Sequence, residues 1–259
     1  MIRNNQGILY IATGPKCKEE AIYNMSRSRQ FLGSRVSCLV TDVPTDIDYK
    51  YFDYVYKHKN PCYGYRDKIL PLLNLPFKFT LFLDSDAFLI QPVDNIFDLG
   101  IYADFAAVHA PVRHPPGFHS EFVPSSFPEY NSGVMFFKRS KVQKKLVKLW
   151  LSYYDFLFDN YAQSWDQASL RIALWEMMLS RKSFRLLSLP SEFNLRTSKP
   201  WIAGRGQPVS VIHGRFDASE VNEFIKYLNS DFDRFRTSFG WLNAYPNSSI
   251  RAKFDRMNF

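Results

Sequence analysis

The sequence predicts an α/β protein: a mainly parallel central sheet with helices on both faces. Two observations carry this. Short runs rich in Ile, Leu, Val and aromatics, such as "GILYIA" and "FTLFL", alternate along the chain with stretches of helical periodicity. Several of those runs are apolar at consecutive positions, as strands buried on both faces are. The chain has 259 residues, 46% hydrophobic and 17% aromatic, enough to bury one large core or two closely joined halves, so one domain is expected. A charged fraction of 22%, with no repeat or low-complexity block, excludes a disordered chain.

In chain order, "GILYIATG" is a first strand closing on a glycine turn. "KEEAIYNMSRSRQFLG" is a helix ending at Gly33, followed by a strand "RVSCLVTD" and a short one, "FDYVYK". "DKILPLLN" is a short helix broken at Pro71, and Leu75-Pro76 leads into "FTLFLDSDAFLI". Residues Pro111 to Tyr130 hold five prolines and little periodicity, which predicts a long lid or binding loop. "NSGVMFFK" resumes as a strand. Ser140 caps a helix with the apolar stripe Val142, Leu146, Leu149, Trp150, Tyr153 and Leu157. Ser164 opens another, with Ile172, Trp175 and Leu179 expected on its buried face. "PVSVIHG" is a late strand, and a helix from about Ser219 carries Val221, Phe224, Ile225 and Leu228. The Arg- and aromatic-rich tail after Asp231 has no assignment.

In open parallel sheets ligands gather beyond the carboxyl ends of the strands. The exits Thr13-Gly14, Thr41-Asp42 and Asp84-Ser85-Asp86 are therefore expected to share one edge.

A formal charge of +8 suits an anionic partner, and it leaves contact with a membrane surface open. No zinc-finger spacing, basic zipper or RNP-like strand is present, so nucleic acid is not an expected partner. No apolar run reaches about 18 residues, and "GILYIA" is too short for a secretory signal, so no transmembrane segment is expected. Cys17, Cys38 and Cys62, odd in number and without CxxC spacing, fit reduced thiols in a cytoplasmic protein.

The apolar run at Phe79 to Leu83 ends in two carboxylates separated by one serine. Side chains two apart in an extended segment point the same way, so Asp84 and Asp86 can address one point past the strand end. A divalent cation rewards such a pair, since Mg²⁺ or Mn²⁺ takes one or two carboxylates and fills its shell with phosphate and water. One aspartate capping a turn and the other solvated is the plain alternative.

"FTLFLDSDAFLIQPVDNIFDL" resembles the DxD region of nucleotide-sugar-dependent glycosyltransferases of the GT-A fold, particularly the glycogenin-like group. "YRDKILPLL", "YNSGVMFFK", "SWDQASLRIAL", "LPSEFNLR" and "VIHG" match in the same order, between Gly7 and Gly214. The resemblance implies a Rossmann-like GT-A domain over 1–259, with a nucleotide-binding half to about residue 100 and an acceptor and donor-sugar half beyond. It implies His213 as a third metal ligand, and a mixed carboxylate and imidazole set favours Mn²⁺ over Mg²⁺. Arg66 and Lys68 are placed near the donor phosphates or ribose, with a solvated charge as the alternative. Asn131, Ser132 and Gly133 fall beside the donor sugar, or form a simple turn. Thr13 and Asp42 fall at the base and ribose, and Ser85 with them in the DxD exit. Asp166 and Gln167 are placed against the transferred sugar; Ser164 with Gln167 also fits a capping box, and Asp166 a helix dipole. Asn194, Arg196, His109, His114 and His119 are candidates for the acceptor side, the histidines also reading as solvated loop residues.

The expected activity is metal-dependent transfer of a sugar from a nucleotide diphosphate sugar, UDP-linked by analogy, to a glycan or other hydroxyl. Retention of configuration follows from the glycogenin-like resemblance, while Glu121, Glu129 and Asp166 are candidate bases for an inverting reaction. One alternative is a sugar nucleotidyltransferase, disfavoured because "ATGPKCKEEA" lacks a Gly-rich, Arg-containing phosphate loop. A non-catalytic module binding nucleotide sugar or glycan is the other.

Overall fold

A computed structural model describes residues 5–110, 121–180, 183–197, 202–203, 207–215 and 218–231. In chain order the elements are β1 (Gln6–Ile11), α1 (Pro15–Ser28), β2 (Val36–Thr41), α2 (Asp48–Tyr51), β3 (Tyr54–Lys57), α3 (Arg66–Ile69), β4 (Phe79–Leu83), β5 (Ala87–Leu89), α4 (Asp94–Asp98) and β6 (Phe105–His109). They continue with β7 (Tyr130–Lys138), α5 (Lys141–Tyr161), α6 (Asp166–Ser180), β8 (Leu186–Leu189), β9 (Leu195–Arg196), β10 (Val211–His213) and α7 (Ala218–Tyr227).

Seven strands form a central sheet in the order β3-β2-β1-β4-β7-β6-β8. All neighbours run parallel except at β7, which is antiparallel to both β4 and β6. The mainly parallel sheet is thus present, and its strands explain its two coated faces. Along β1, Leu9 and Ile11 join the core beneath α5 and α6, whereas Ile8 and Tyr10 join the core beneath α1 and α4. Both sets are buried, so a run without polar alternation becomes a central strand.

A second sheet, β5-β10-β9, pairs β10 antiparallel to β5 and parallel to β9 and packs on α7 through Phe88, Ile212, Val221 and Phe224. The late strand is therefore in this small sheet. The chain crosses from the large sheet to the small one between Asp84 and Asp86, through a turn in which Ala87 N–H donates to Asp84 O at 2.9 Å. The two aspartates thus meet across a turn, where the sequence suggests an extended strand.

Helix starts and stops follow local chemistry. Pro15 opens α1 after Gly14, whose φ of 79° needs a residue without Cβ. Ser140 caps α5, its Oγ accepting from Gln143 N–H at 3.1 Å. Leu146, Trp150 and Leu157 are buried on its stripe, and Val142, Leu149 and Tyr153 pack partly against the same core. Trp150 Nε1 donates to Asp166 O at 2.9 Å, which ties the first turn of α6 to α5.

Three details differ from the sequence reading. Helix α6 begins at Asp166, and Ser164 with Gln167 form no capping box, because the Gln167 side chain is bonded inside the molecule. Leu179 is 69% exposed, since α6 is buried from Asp166 to Leu174 and its last turn runs past the core. Strands β6 and β8 were not foreseen: "FAAVH" and "LLSL" are short and owe their conformation to pairing with β7 and with each other. Residues 111–120 of the proline-rich loop, with His114 and His119, and the tail 232–259 lie outside the described residues. Among the described residues no helix is long and apolar enough to cross a membrane.

Candidate active site

The exits of β1 and β4, the start of α3, the start of β7, the start of α6 and the end of β10 line one cavity of about 410 Å³. At its floor Asp84, Asp86 and His213 bring one ligand atom each within 4.8 Å of one another. His213 Nε2 lies 3.3 Å from Asp86 Oδ1 and 3.8 Å from Asp84 Oδ2. The backbone holds the three in register. Asp84 N–H donates to Gly133 O at 2.7 Å, Gly214 N–H donates to Asp86 O at 2.9 Å, and His213 pairs with Ala87 across β10 and β5.

One backbone group settles the orientation of the side chains behind His213. Gly133 N–H can only donate, so the Asn131 atom 3.0 Å away is Oδ1. Asn131 Nδ2 then donates to Gln167 Oε1 at 2.5 Å, and Gln167 Nε2 donates to Glu129 Oε1 at 2.8 Å. In the other direction Asn194 must present Nδ2 to Asn131 Oδ1, at 2.8 Å, leaving Asn194 Oδ1 to face His213 Nδ1 at 2.9 Å. Nδ1 therefore carries a hydrogen, and Nε2 is the ring nitrogen that faces the space between the carboxylates, where a cation would meet it. A Cβ on Gly133 would lie 2.7 Å from both ring nitrogens, so only glycine leaves room for the ring.

Lys68 sits among the acids. Its Nζ lies 3.2 Å from both oxygens of Asp84, 2.9 Å from Asp166 Oδ2 and 3.1 Å from Ser132 Oγ. Burial alone would favour the neutral amine, but Asp166 and Asp84 outweigh it and hold Lys68 charged well above the usual lysine range. Asp84 moves upward in spite of Lys68 and His213, because burial and the nearby Asp86 and Asp166 disfavour another negative charge. Asp86 moves the other way: burial opposes its ionisation, but His213 and Arg215 hold it well below the usual carboxylate range. One ammonium thus serves two carboxylates, and a third stands beside them. Two carboxylate oxygens and an imidazole nitrogen within this spacing fit a hard or borderline divalent cation.

Two arginines border the cluster. Arg215 pairs with Glu20 and reaches within 3.7 Å of Asp86 Oδ2. Half-buried Arg196 lines the cavity, and among the described residues no side chain hydrogen-bonds to its guanidinium. Burial lowers its pKa, with Asp86 and Asp84 acting against that fall.

Other sequence-derived candidates are distributed as follows. Thr13, Ser85, Asn131, Ser132, Asp166 and Gln167 line the cavity. Thr13 Oγ1 donates to Asp67, and Ser85 Oγ to Glu20. Asp42 accepts from Gly14 N–H at 3.1 Å and lines a neighbouring groove with Lys18. Arg66 is turned away, its guanidinium bound to Asp155 at 2.7 and 3.1 Å, because helix α5 presents that carboxylate opposite it. Glu129 is buried on Gln167, Glu121 is exposed, and His109 is exposed at the end of β6. Tyr63, Tyr65, Asp67, Trp165 and Arg215 also line the cavity and were not singled out by the sequence: Tyr65, Asp67 and Trp165 lie within the matched motifs and Tyr63 and Arg215 beside them, and nothing in their spacing marks them.

No protein-family model matches the chain, and no curated protein matches it by sequence. Solved structures do. The apo form of mouse xyloside xylosyltransferase 1 aligns at 14% identity and a TM-score of 0.52, over 81% of this chain and 97% of its own. The glycosyltransferase GlyE of Streptococcus pneumoniae aligns at 13% identity and 0.57, over 87% of this chain and 61% of its own. The galactosyltransferase LgtC, in complex with donor and acceptor sugar analogues, aligns at 12% identity and 0.57, over 92% of this chain and 99% of its own. At these identities the likeness is one of architecture alone: the chain has the GT-A fold seen in these structures.

Proposed function

We propose that the chain is a metal-dependent glycosyltransferase, moving a sugar from a nucleoside diphosphate donor, UDP-linked, to a hydroxyl acceptor. The carrying observation is the Asp84, Asp86 and His213 cluster, with its imidazole fixed as the Nδ1–H form, at the strand ends where open sheets bind ligands. Those three residues would hold Mn²⁺ or Mg²⁺. When bound, the cation neutralises charge on the departing nucleoside diphosphate.

The chain's own groups divide the remaining work. Arg196 has donors to spare for a phosphate and faces the acids from the cavity wall. Lys68 holds Asp84 and Asp166 in place. Asn131 and Gln167 bond to each other, so we read them as shaping the donor-sugar wall and orienting His213 through Asn194. Thr13, Ser85 and Asp42 keep their reading as the ribose and base end, by analogy of fold.

Retention is the favoured stereochemistry. An inverting reaction needs a carboxylate able to take the acceptor proton. Asp166 is buried against Lys68, Glu129 is buried and accepts from Gln167, and Glu121 is not among the lining residues. The test is turnover of UDP- and GDP-linked sugars with Mn²⁺, following nucleoside diphosphate release and the product's anomeric configuration. Metal-dependent diphosphate release that disappears in Asp84→Asn with Asp86→Asn supports the reading. Binding without turnover indicates a binding module, and pyrophosphate release from a nucleoside triphosphate indicates a nucleotidyltransferase.

A further inference from the structure

We infer that Trp165, backed by Tyr65, is a stacking platform for a pyranose ring of the acceptor, so that the acceptor is a saccharide; this rests on the glycosyl-transfer reading. The two rings stack with centroids 5.9 Å apart and an interplanar angle of 21°. Tyr65 remains 41% and Trp165 42% exposed, and among the described residues neither is part of the three hydrophobic cores. Stacked aromatic rings left partly open to water where they line a cavity offer an apolar face to a ligand. Both rings line the cavity that contains the acidic cluster.

Their position selects the occupant. The loop before α3 carries Tyr63 and Tyr65 to different neighbours. The Tyr63 ring covers Gly14, where a Cβ would meet it at 3.6 Å, and so stands over the exits of β1 and β2 at the expected base end. Tyr65 stands with Trp165 beside Asp166, and the Lys68 ammonium lies 5.4 Å from the Tyr65 centroid. Trp165 immediately precedes Asp166, whose carboxylate shares that ammonium with Asp84. The platform therefore belongs to the Asp166 side of the cluster. A pyranose with equatorial hydroxyls suits it, since its axial C–H bonds make an apolar face for an indole while its hydroxyl edge stays with charged groups and water. A lipid chain would lack partners for the charged groups below the rings.

Saturation-transfer NMR on the full chain with Mg²⁺ and UDP, using methyl β-D-glucoside, methyl β-D-galactoside and methyl β-D-xyloside as probes, tests this. We expect saturation of ring C–H protons for at least one glycoside, falling at least fivefold in Trp165→Ala and persisting in Trp165→Phe, with UDP affinity within twofold in each. Equal saturation in Trp165→Ala overturns the inference. So does a tenfold loss of UDP affinity with sugar saturation unchanged, which would make the rings a nucleobase shelf. No sugar saturation in a protein that binds UDP and metal removes the platform and leaves the transferase reading standing. No binding of UDP or metal removes both.

Discussion

His213 Nδ1 stands 2.9 Å from Asn194 Oδ1, and that bond decides what the other ring nitrogen can do. Because Asn194 is itself oriented by Asn131, and Asn131 by the Gly133 backbone N–H, the ring cannot exchange its tautomer without breaking a buried chain of bonds. Partners of this kind orient a metal ligand and raise its basicity.

Replacing Asn194 with leucine removes the acceptor and lets the ring turn or re-protonate. Mn²⁺ affinity in the presence of UDP should fall roughly 10–100-fold, the usual effect of losing such a partner. Calorimetric titration of the metal measures it, with circular dichroism confirming the fold. A change below twofold would mean that His213 is oriented by something else.

Lys68 is the shared cation of half-buried Asp84 and buried Asp166, so Lys68→Met leaves both carboxylates without it. Breaking a buried pair in this way costs about 3–5 kcal/mol. Urea unfolding should show a loss of that order, partly recovered when Mn²⁺ is added. A stability equal to wild type would show that the acids are compensated elsewhere.

Asp67 organises the loop bearing Tyr63 and Tyr65, accepting from Thr13 Oγ1, Cys62 N–H and Tyr63 N–H, each at 2.8 Å. Burial pushes its carboxyl pKa up, but these bonds prevail and hold it below the usual value. A folded pKa below the unfolded one gives stability that is complete above about pH 4 and lost as pH falls through the lower folded value. Asp67→Asn should therefore cost about 1–3 kcal/mol at pH 7. The gap to wild type should narrow as pH is lowered into the acid limb, and a pH-independent gap would contradict the assignment.

Much of this was legible in the letters, for identifiable reasons. Apolar runs closing on Gly or Asp marked β1, β2 and β4, and Ser140 marked the start of α5, because strand burial and capping are local. The pair Asp84 and Asp86 was visible from its place after a buried strand, although the turn joining two sheets was not. What escaped depends on long-range contact. β8 is a strand because β6 lies beside it, Gln167 abandons a plausible cap for Asn131 and Glu129, and Arg66 turns to Asp155, 89 positions away. The platform residues Tyr65 and Trp165 are 100 positions apart in sequence (165 less 65) and meet only in the fold.

The most direct measurement is anomalous diffraction at the manganese edge from crystals grown with Mn²⁺ and UDP. The account predicts one peak within bonding distance of a carboxylate oxygen of Asp84, a carboxylate oxygen of Asp86 and Nε2 of His213, with the diphosphate beside it. Ordered UDP in the cavity with no peak there, or a peak bonded to His213 through Nδ1, would contradict it.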